Sequence, residues 1–246
     1  MERELAVHTL GLTKRYGRTL ALDQVELCVP TGAVYGLLGR NGAGKTTMLS
    51  LLVNLIAPSA GSLEVLGYDP TRQAPEMLRH VGYVPAGHPF YGWMTVREAM
   101  RFVSGFHQQW DDALVRGLLA QSKVGEKDRI DNLSRGMRAL LSVALAVGHR
   151  PRLVLMDEAF EGLDVVVRRE IMRMLIEMVQ QHGATVLATG HEVSDLERIC
   201  DHVGIISQGR LLVQETMEQL KATYGPQDAS LEDIFVRLVG QETEAQ

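Results

Sequence analysis

The chain has 246 residues, 46% of them hydrophobic, and a formal net charge of −5; it is long enough to bury a sizeable core and too apolar for wholesale disorder. The longest stretch free of charge and strong polarity lies near residues 139–148, well short of the roughly 20 residues a membrane helix needs, and Met1-Glu2-Arg3-Glu4 opens without the apolar run of a secretory leader, so a soluble, cytosolic protein is predicted. Residues 213–246 hold seven acids against Lys221 and Arg237, a balance of −5 that leaves residues 1–212 neutral and offers no basic footprint for nucleic acid.

Val25, Leu27 and Val29 keep a period of two, and residues 34–38 form a short apolar run that feeds a glycine-rich turn. Residues 46–56 read as a buried helix ended by Pro58, and residues 81–84 as a strand stopped by Pro85. Thr95 with Glu98 forms a capping box, Asp111 caps a further helix, and Ser134 opens an apolar helix that runs to Val147. Residues 85–134 read as mostly helical, a subdomain inserted in a sheet. Residues 153–156 are apolar and end in Asp157-Glu158, as a central parallel strand would; residues 165–181 are helical and 185–188 a buried strand. Ser194 with Glu197 suggests a second capping box, residues 203–206 and 211–213 a strand pair around Gln208-Gly209, and residues 216–222 and 230–238 short helices. This alternation predicts an α/β fold with a largely parallel core sheet. Cys28 and Cys200 lack metal-ligand spacing and read as two buried small apolar residues. Met172, Met174 and Met178, at near-helical spacing, read as core.

Gly39-Arg40-Asn41-Gly42-Ala43-Gly44-Lys45-Thr46-Thr47 matches the phosphate-loop pattern between a strand and a helix. There the glycines let successive backbone N–H groups face one anion, and the helix adds its positive end. Lys45 would reach the outer phosphates of a nucleotide and the Thr46 hydroxyl would bind Mg²⁺. Asp157, ending a core strand, would hold Mg²⁺ through water, and Glu158 would polarise an attacking water. Leu133-Ser134-Arg135-Gly136-Met137 places a serine at a helix start, which serves as a helix cap or as a phosphate contact. His191 follows the strand at residues 185–188, at the same ligand edge of the sheet.

Together these residues resemble the nucleotide-binding subunits of ABC transporters, over Tyr16 to Leu238. Tyr16, in Lys14-Arg15-Tyr16-Gly17, is similar to the aromatic that stacks on adenine. Residues 39–47 resemble Walker A, residues 133–137 the signature, and residues 154–158 Walker B with its catalytic glutamate. Glu161-Gly162-Leu163-Asp164 resembles the D-loop, and His191 the histidine that senses the γ-phosphate. The resemblance implies a P-loop NTPase core of the α/β class with an N-terminal antiparallel β part and a helical subdomain at about residues 86–150. It further implies an ATPase domain over residues 1–222, an acidic extension at 223–246, and the cofactors ATP and Mg²⁺. Two ATPase subunits would pair head to tail, with Ser134 and Gly136 of each reaching the other's ATP. An integral membrane permease would hold the pair at the inner face of the cell membrane. Leu66-Gly67-Tyr68-Asp69-Pro70, Arg135, Val166-Val167-Arg168-Arg169-Glu170 and Ser230-Leu231-Glu232-Asp233-Ile234-Phe235 resemble the ABC-2 type exporter ATPases near bacitracin-resistance and acetoin-utilisation transporters.

Four positions depart from that family's pattern. Ala86 stands at the Q-loop glutamine, Ala159 at a proline, and Arg135 and Met137 at signature glycine and glutamine. Because Lys45, Asp157, Glu158 and His191 are kept, the expectation is a working but slow ATPase; a regulatory or soluble ABC ATPase of weak turnover is the alternative. His88, two residues past Ala86, is read as an ordinary loop histidine or as a substitute for the glutamine. Phe90, Tyr91, Trp93 and Met94 are read as subdomain core or as the groove that receives a helix of the membrane subunit.

Overall fold

The computed structural model describes residues 4–158, 160, 163–190, 193–225 and 229–244. Along the chain, β1 (Leu5–Tyr16), β2 (Thr19–Val25), β3 (Cys28–Pro30) and β4 (Val34–Leu38) precede α1 (Lys45–Leu52). Next come β5 (Ala60–Val65), α2 (Pro70–Leu78) and β6 (Val81–Val84), then α3 (Val96–Ser104), α4 (Asp112–Gln121) and α5 (Arg135–Val147). The chain continues through β7 (Leu153–Met156), α6 (Val165–His182), β8 (Thr185–Gly190) and α7 (Val193–Glu197). It ends with β9 (His202–Ser207), β10 (Arg210–Thr216), α8 (Met217–Tyr224) and α9 (Leu231–Glu244).

The apolar runs of the sequence make a six-stranded sheet in the order β10-β9-β4-β8-β7-β6, parallel except for the β9–β10 hairpin. Both faces are covered, which is why these strands read as continuous apolar runs rather than alternating ones. Tyr35, Leu37, Leu153, Leu155 and Leu187 face one core, shared with α1 and the antiparallel sheet. Val34, Leu38, Val154, Met156, Val186 and Ala188 face the other, shared with α3 to α9. The second sheet pairs β1 antiparallel with β2, β3 and β5. Helices α3, α4 and α5 all fall between β6 and β7, and α5 is buried from Ala139 to Val147. Its C-terminal turn presses on β6 so closely that a Cβ on Gly82 would sit 2.3 Å from Ala146 O.

Several expectations need correction. The period-two run through Val25, Leu27 and Val29 holds as burial on one face but is divided between two strands, β2 and β3. The Thr9 hydroxyl fills the break, donating to Val25 O at 2.9 Å and accepting from Leu27 N at 2.8 Å, so the three side chains stay buried while the ladder is interrupted. Helix α1 ends at Leu52, four residues before Ile56, and Asn54 turns at φ 56°. Ser194 is no N-cap, because α7 already begins at Val193. Cys28 is only half-buried, its N–H bound to Gln214 Oε1, whereas Cys200 is buried against Gly36; both are free thiols. The capping box of Thr95 with Glu98 and the caps at Asp111 and Ser134 form as read, and Met172, Met174 and Met178 are core.

The acidic C-terminal segment is docked. Leu231, Ile234 and Val239 are buried in the same core as α3 to α7. Glu197 on α7 accepts from Lys221 Nζ on α8 at 2.6 Å and from the Leu231 N–H of α9 at 3.3 Å. Among the described residues no helix is long and apolar enough to cross a membrane.

Candidate nucleotide site

The glycine-rich turn leaves β4 in the middle of the parallel sheet, between β8 and β9, where open α/β sheets bind ligands. Two of its glycines are required by shape. A Cβ on Gly39 would lie 2.6 Å from Ile206 O, and Gly44 combines φ 110° with a Cβ position 2.6 Å from Ala21 O. The turn is thus seated between the β9–β10 hairpin and β2, and Gly209 N donates to Ala43 O at 3.0 Å. Tyr16 ends β1 at the β1–β2 turn, exposed, with Lys14 Nζ 5.1 Å above its ring.

Lys45 begins α1 and is buried. Its ammonium donates to Gly39 O at 2.7 Å and Arg40 O at 3.2 Å, and lies 3.3 Å from Glu158 Oε1. A buried ammonium needs such oxygens around it. Asp157 and Glu158 leave the end of β7. Thr46 Oγ1 donates to Asp157 Oδ1 at 3.2 Å, and Thr189 Oγ1, at the end of β8, donates to the same oxygen at 2.9 Å. The Thr189 hydroxyl also accepts from Glu158 N at 3.1 Å. One side chain that no sequence pattern marked therefore holds both acids. Glu158 itself takes φ 48°, a conformation that costs a non-glycine residue energy and collects at functional sites.

Asp157 is fully buried, and its Oδ2 has no hydrogen-bond partner among the described residues. Burial pushes its carboxyl above the ordinary aspartate range; Glu158 adds to the rise, while Thr189, Thr46 and Lys45 oppose it. A buried carboxylate oxygen beside a threonine hydroxyl suits a hard divalent cation that keeps most of its ligands as water and phosphate. The donor set fits Mg²⁺. Among the described residues no group of three or more His, Cys, Asp or Glu could hold a metal by itself.

The Leu133-Ser134-Arg135-Gly136-Met137 segment opens α5. Ser134 Oγ accepts from Met137 N at 3.2 Å, Ser134 and Arg135 are exposed, and Leu133 is buried. A Cβ on Gly136 would touch Val167 and, at 3.5 Å, Asp164 Oδ2, so this turn lies beside the start of α6. Asp164 caps α6 by accepting from Val166 N and Val167 N, which explains a helix opening on three valines. His191 and the Ala159, Glu161 and Gly162 positions lie outside the described residues.

Ala86 is exposed just past β6. His88 lies in the loop after β6 as read, but inside the protein: it is 6% exposed, and burial, reinforced by Arg135, lowers its pKa to about 4. Of the aromatic run, Phe90 and Met94 pack against the core, whereas Tyr91 and Trp93 are each 62% exposed. Tyr91 lines a mainly apolar groove of 420 Å³ together with Phe90 and Met94, opposite Phe102 and Val103 on α3, and Trp93 packs on Tyr91 with ring centroids 6.0 Å apart. Phe102 on α3 and Phe106, just past its end, are exposed and meet edge to face at 5.2 Å, a contact the sequence pattern did not mark.

Comparison with known proteins agrees with this geometry. The ABC transporter family model matches residues 22–161. The bacitracin transport ATP-binding protein BcrA of Bacillus licheniformis is 34% identical over 221 residues, 87% of this chain and 71% of BcrA. The ABC transporter ATP-binding protein YtrB of Bacillus subtilis (strain 168) is 29% identical over 213 residues, 87% of this chain and 73% of YtrB. Among solved structures, an ATP binding subunit of an ABC transporter superposes at a TM-score of 0.85 with 25% identity, over 96% of this chain and 99% of its own. The ATP-binding cassette MJ0796, solved as a dimer in a post-hydrolysis state bound to ADP and Pi, shares the fold at a TM-score of 0.76, 19% identity, and 86% and 98% coverage. With the family match running from β2 past both acids at the end of β7, over the loop, lysine and carboxylates whose convergence the geometry describes, the chain belongs to the ABC transporter family, as an ATP-binding subunit.

Proposed function

We propose that this subunit binds and hydrolyses Mg-ATP to power a membrane exporter of the ABC-2 type, and that two subunits close head to tail on two nucleotides during each cycle. The observation that carries the reading is the convergence of Lys45, Thr46, Asp157 and Glu158 at one sheet edge, within hydrogen-bonding or ion-pairing distance of one another. Residues 39–47 would wrap the phosphates with backbone N–H groups, and Tyr16 would stack on the base. Thr46 Oγ1 and Asp157 Oδ2 would hold Mg²⁺, which when bound supplies charge neutralisation on the phosphate oxygens. Lys45, turned from its own loop carbonyls to the outer phosphates, would stabilise charge as the γ-phosphoryl group departs. That turn frees Glu158, now 3.3 Å away, to orient and polarise the attacking water. In this reading His191, the residue that follows Gly190 in the chain, assists. Ser134 and Gly136, with Leu133, Arg135 and Met137, serve the partner's ATP, and Leu163 and Asp164, with Gly162, form the D-loop between the subunits.

The groove between Tyr91 and Phe102 fits a cytoplasmic helix of an integral permease: it is open, mainly apolar and rimmed by exposed aromatics. Docking there would hold the subunit at the inner face of the membrane. Ala86, a methyl group where a glutamine would reach toward the nucleotide, is read as slowing turnover. BcrA and YtrB, named as transport ATP-binding proteins, support the transporter reading for this chain. The test compares ATP hydrolysis and fluorescent ATP-analogue binding in the wild type, Glu158→Gln and Lys45→Ala. Glu158→Gln is expected to bind normally and to lose on the order of 10²-fold or more in turnover, and Lys45→Ala to bind poorly. Equal turnover in all three would refute the reading.

A further inference from the structure

Strands β7 and β8 are parallel neighbours, with Met156 opposite Ala188, and each leaves the C-terminal edge of the sheet for a helix. The connection from β7 carries Asp157 and Glu158 to α6, and the one from β8 leads into α7. At the sheet the two are fastened by Thr189, which donates to Asp157 and accepts from Glu158 N. They are fastened again at their far ends, by Arg168. From the first turn of α6, its Nη2 donates to Leu163 O at 3.1 Å and its Nη1 donates to Asp195 Oδ1 on α7 at 2.9 Å. Asp195 Oδ2 is 2.8 Å from the same nitrogen, and Asp195 is only 2% exposed.

The arginine fork suits this place. Its planar guanidinium serves a backbone carbonyl of one connection and a carboxylate on the helix ending the other, in a fixed geometry that a single ammonium cannot span. A buried ion pair is a poor source of net stability but a good constraint on position. We propose that Arg168 is a positioning residue for hydrolysis: with Asp195 it fixes the start of α6 against α7, and so the placement of Glu158 relative to the phosphate loop. The inference rests on the reading of Glu158 as the group that orients water.

The test measures turnover, Kd for a fluorescent ATP analogue with Mg²⁺, and melting temperature in Arg168→Gln, Arg168→Lys, Asp195→Asn and the Arg168→Gln/Asp195→Asn double variant. The expected result is a fall in kcat of about ten- to a hundredfold for Arg168→Gln, with Kd held within about twofold. Arg168→Lys should recover part of the loss, and the double variant should be no slower than Arg168→Gln, since both changes break one link. Asp195→Asn, which conserves volume, carries the test if Arg168→Gln does not fold. An unchanged kcat, or losses of affinity and melting temperature that keep step with kcat, would overturn the positioning role. A wild type no faster than Glu158→Gln would instead overturn the reading of Glu158, and this inference with it.

Discussion

Removing the Thr189 hydroxyl is the sharpest probe of how the acids are held. The hydroxyl donates to the fully buried Asp157 carboxyl at 2.9 Å and accepts from the Glu158 N–H at 3.1 Å, and Thr189 itself is buried. Thr189→Val keeps the shape and deletes both bonds. A hydrogen bond to a charged group contributes about 1.5–3 kcal/mol, and a partly buried N–H left unpaired costs about 1 kcal/mol more. The sum, about 3 kcal/mol, corresponds to a fall in Tm of roughly 6–12 °C for a chain of this size. Thermal denaturation without nucleotide reads that change directly. Thr189→Ser keeps the hydroxyl and loses one methyl group, so it should fall by only about 1 kcal/mol. The reasoning fails if Thr189→Val melts with the wild type, or if Thr189→Ser falls as far as Thr189→Val, which would assign the effect to packing.

Three further outcomes follow from the structure. Burial lowers the pKa of His88 and of His149, the latter stacked on His107, to about 4 from 6.5, so the folded chain stays neutral there while the unfolded chain takes up protons. Their contribution is therefore complete above about pH 6.5 and lost as the pH falls toward about 4; urea midpoints across that range should show it, with a smaller loss in His149→Phe. Trp93→Ala should prevent co-purification with a membrane permease from detergent extract while leaving the subunit's ATP affinity unchanged, because the side chain is 62% exposed and packs on Tyr91, which lines the groove. Loss of affinity together with the complex would count against that groove as the docking site. Ala86→Gln should raise partner-stimulated turnover, and an unchanged rate would refute the proposal that Ala86 slows hydrolysis.

What the sequence made legible is what local chemistry dictates. The run at β4, the glycine turn and the Met156-Asp157-Glu158 strand end were readable because burial on both faces and anion binding each leave a short, contiguous pattern. Strands β1 and β5 were not read. The pairing of β1 slips between Leu10 and Thr13 and again between Leu12 and Lys14, so no simple alternation survives along it. Helix α2 was also missed: it starts on the cap Asp69 with Pro70 but contains Pro75 and a non-helical Gln73. Ser194 with Glu197 satisfied a capping pattern that the fold does not use, since the helix starts one residue earlier. Thr189 and Arg168 escaped for the opposite reason: their partners are 32 and 27 residues distant, and nothing in their neighbourhoods reveals the link. The docked tail was open for the same reason, because Leu231 and Ile234 find their core only once α7 and α8 are in place.

The central claim is that Lys45, Asp157 and Glu158 form half of an ATP site whose other half, Ser134 and Gly136, comes from a second subunit. Light scattering on Glu158→Gln, with and without Mg-ATP, tests it most directly, because the substitution removes the carboxylate proposed to orient the attacking water and leaves the phosphate loop intact. The account predicts a monomer that becomes a dimer when Mg-ATP is added and returns to a monomer when it is withdrawn. A chain that binds Mg-ATP and stays monomeric at every concentration tested would contradict a site shared between two copies.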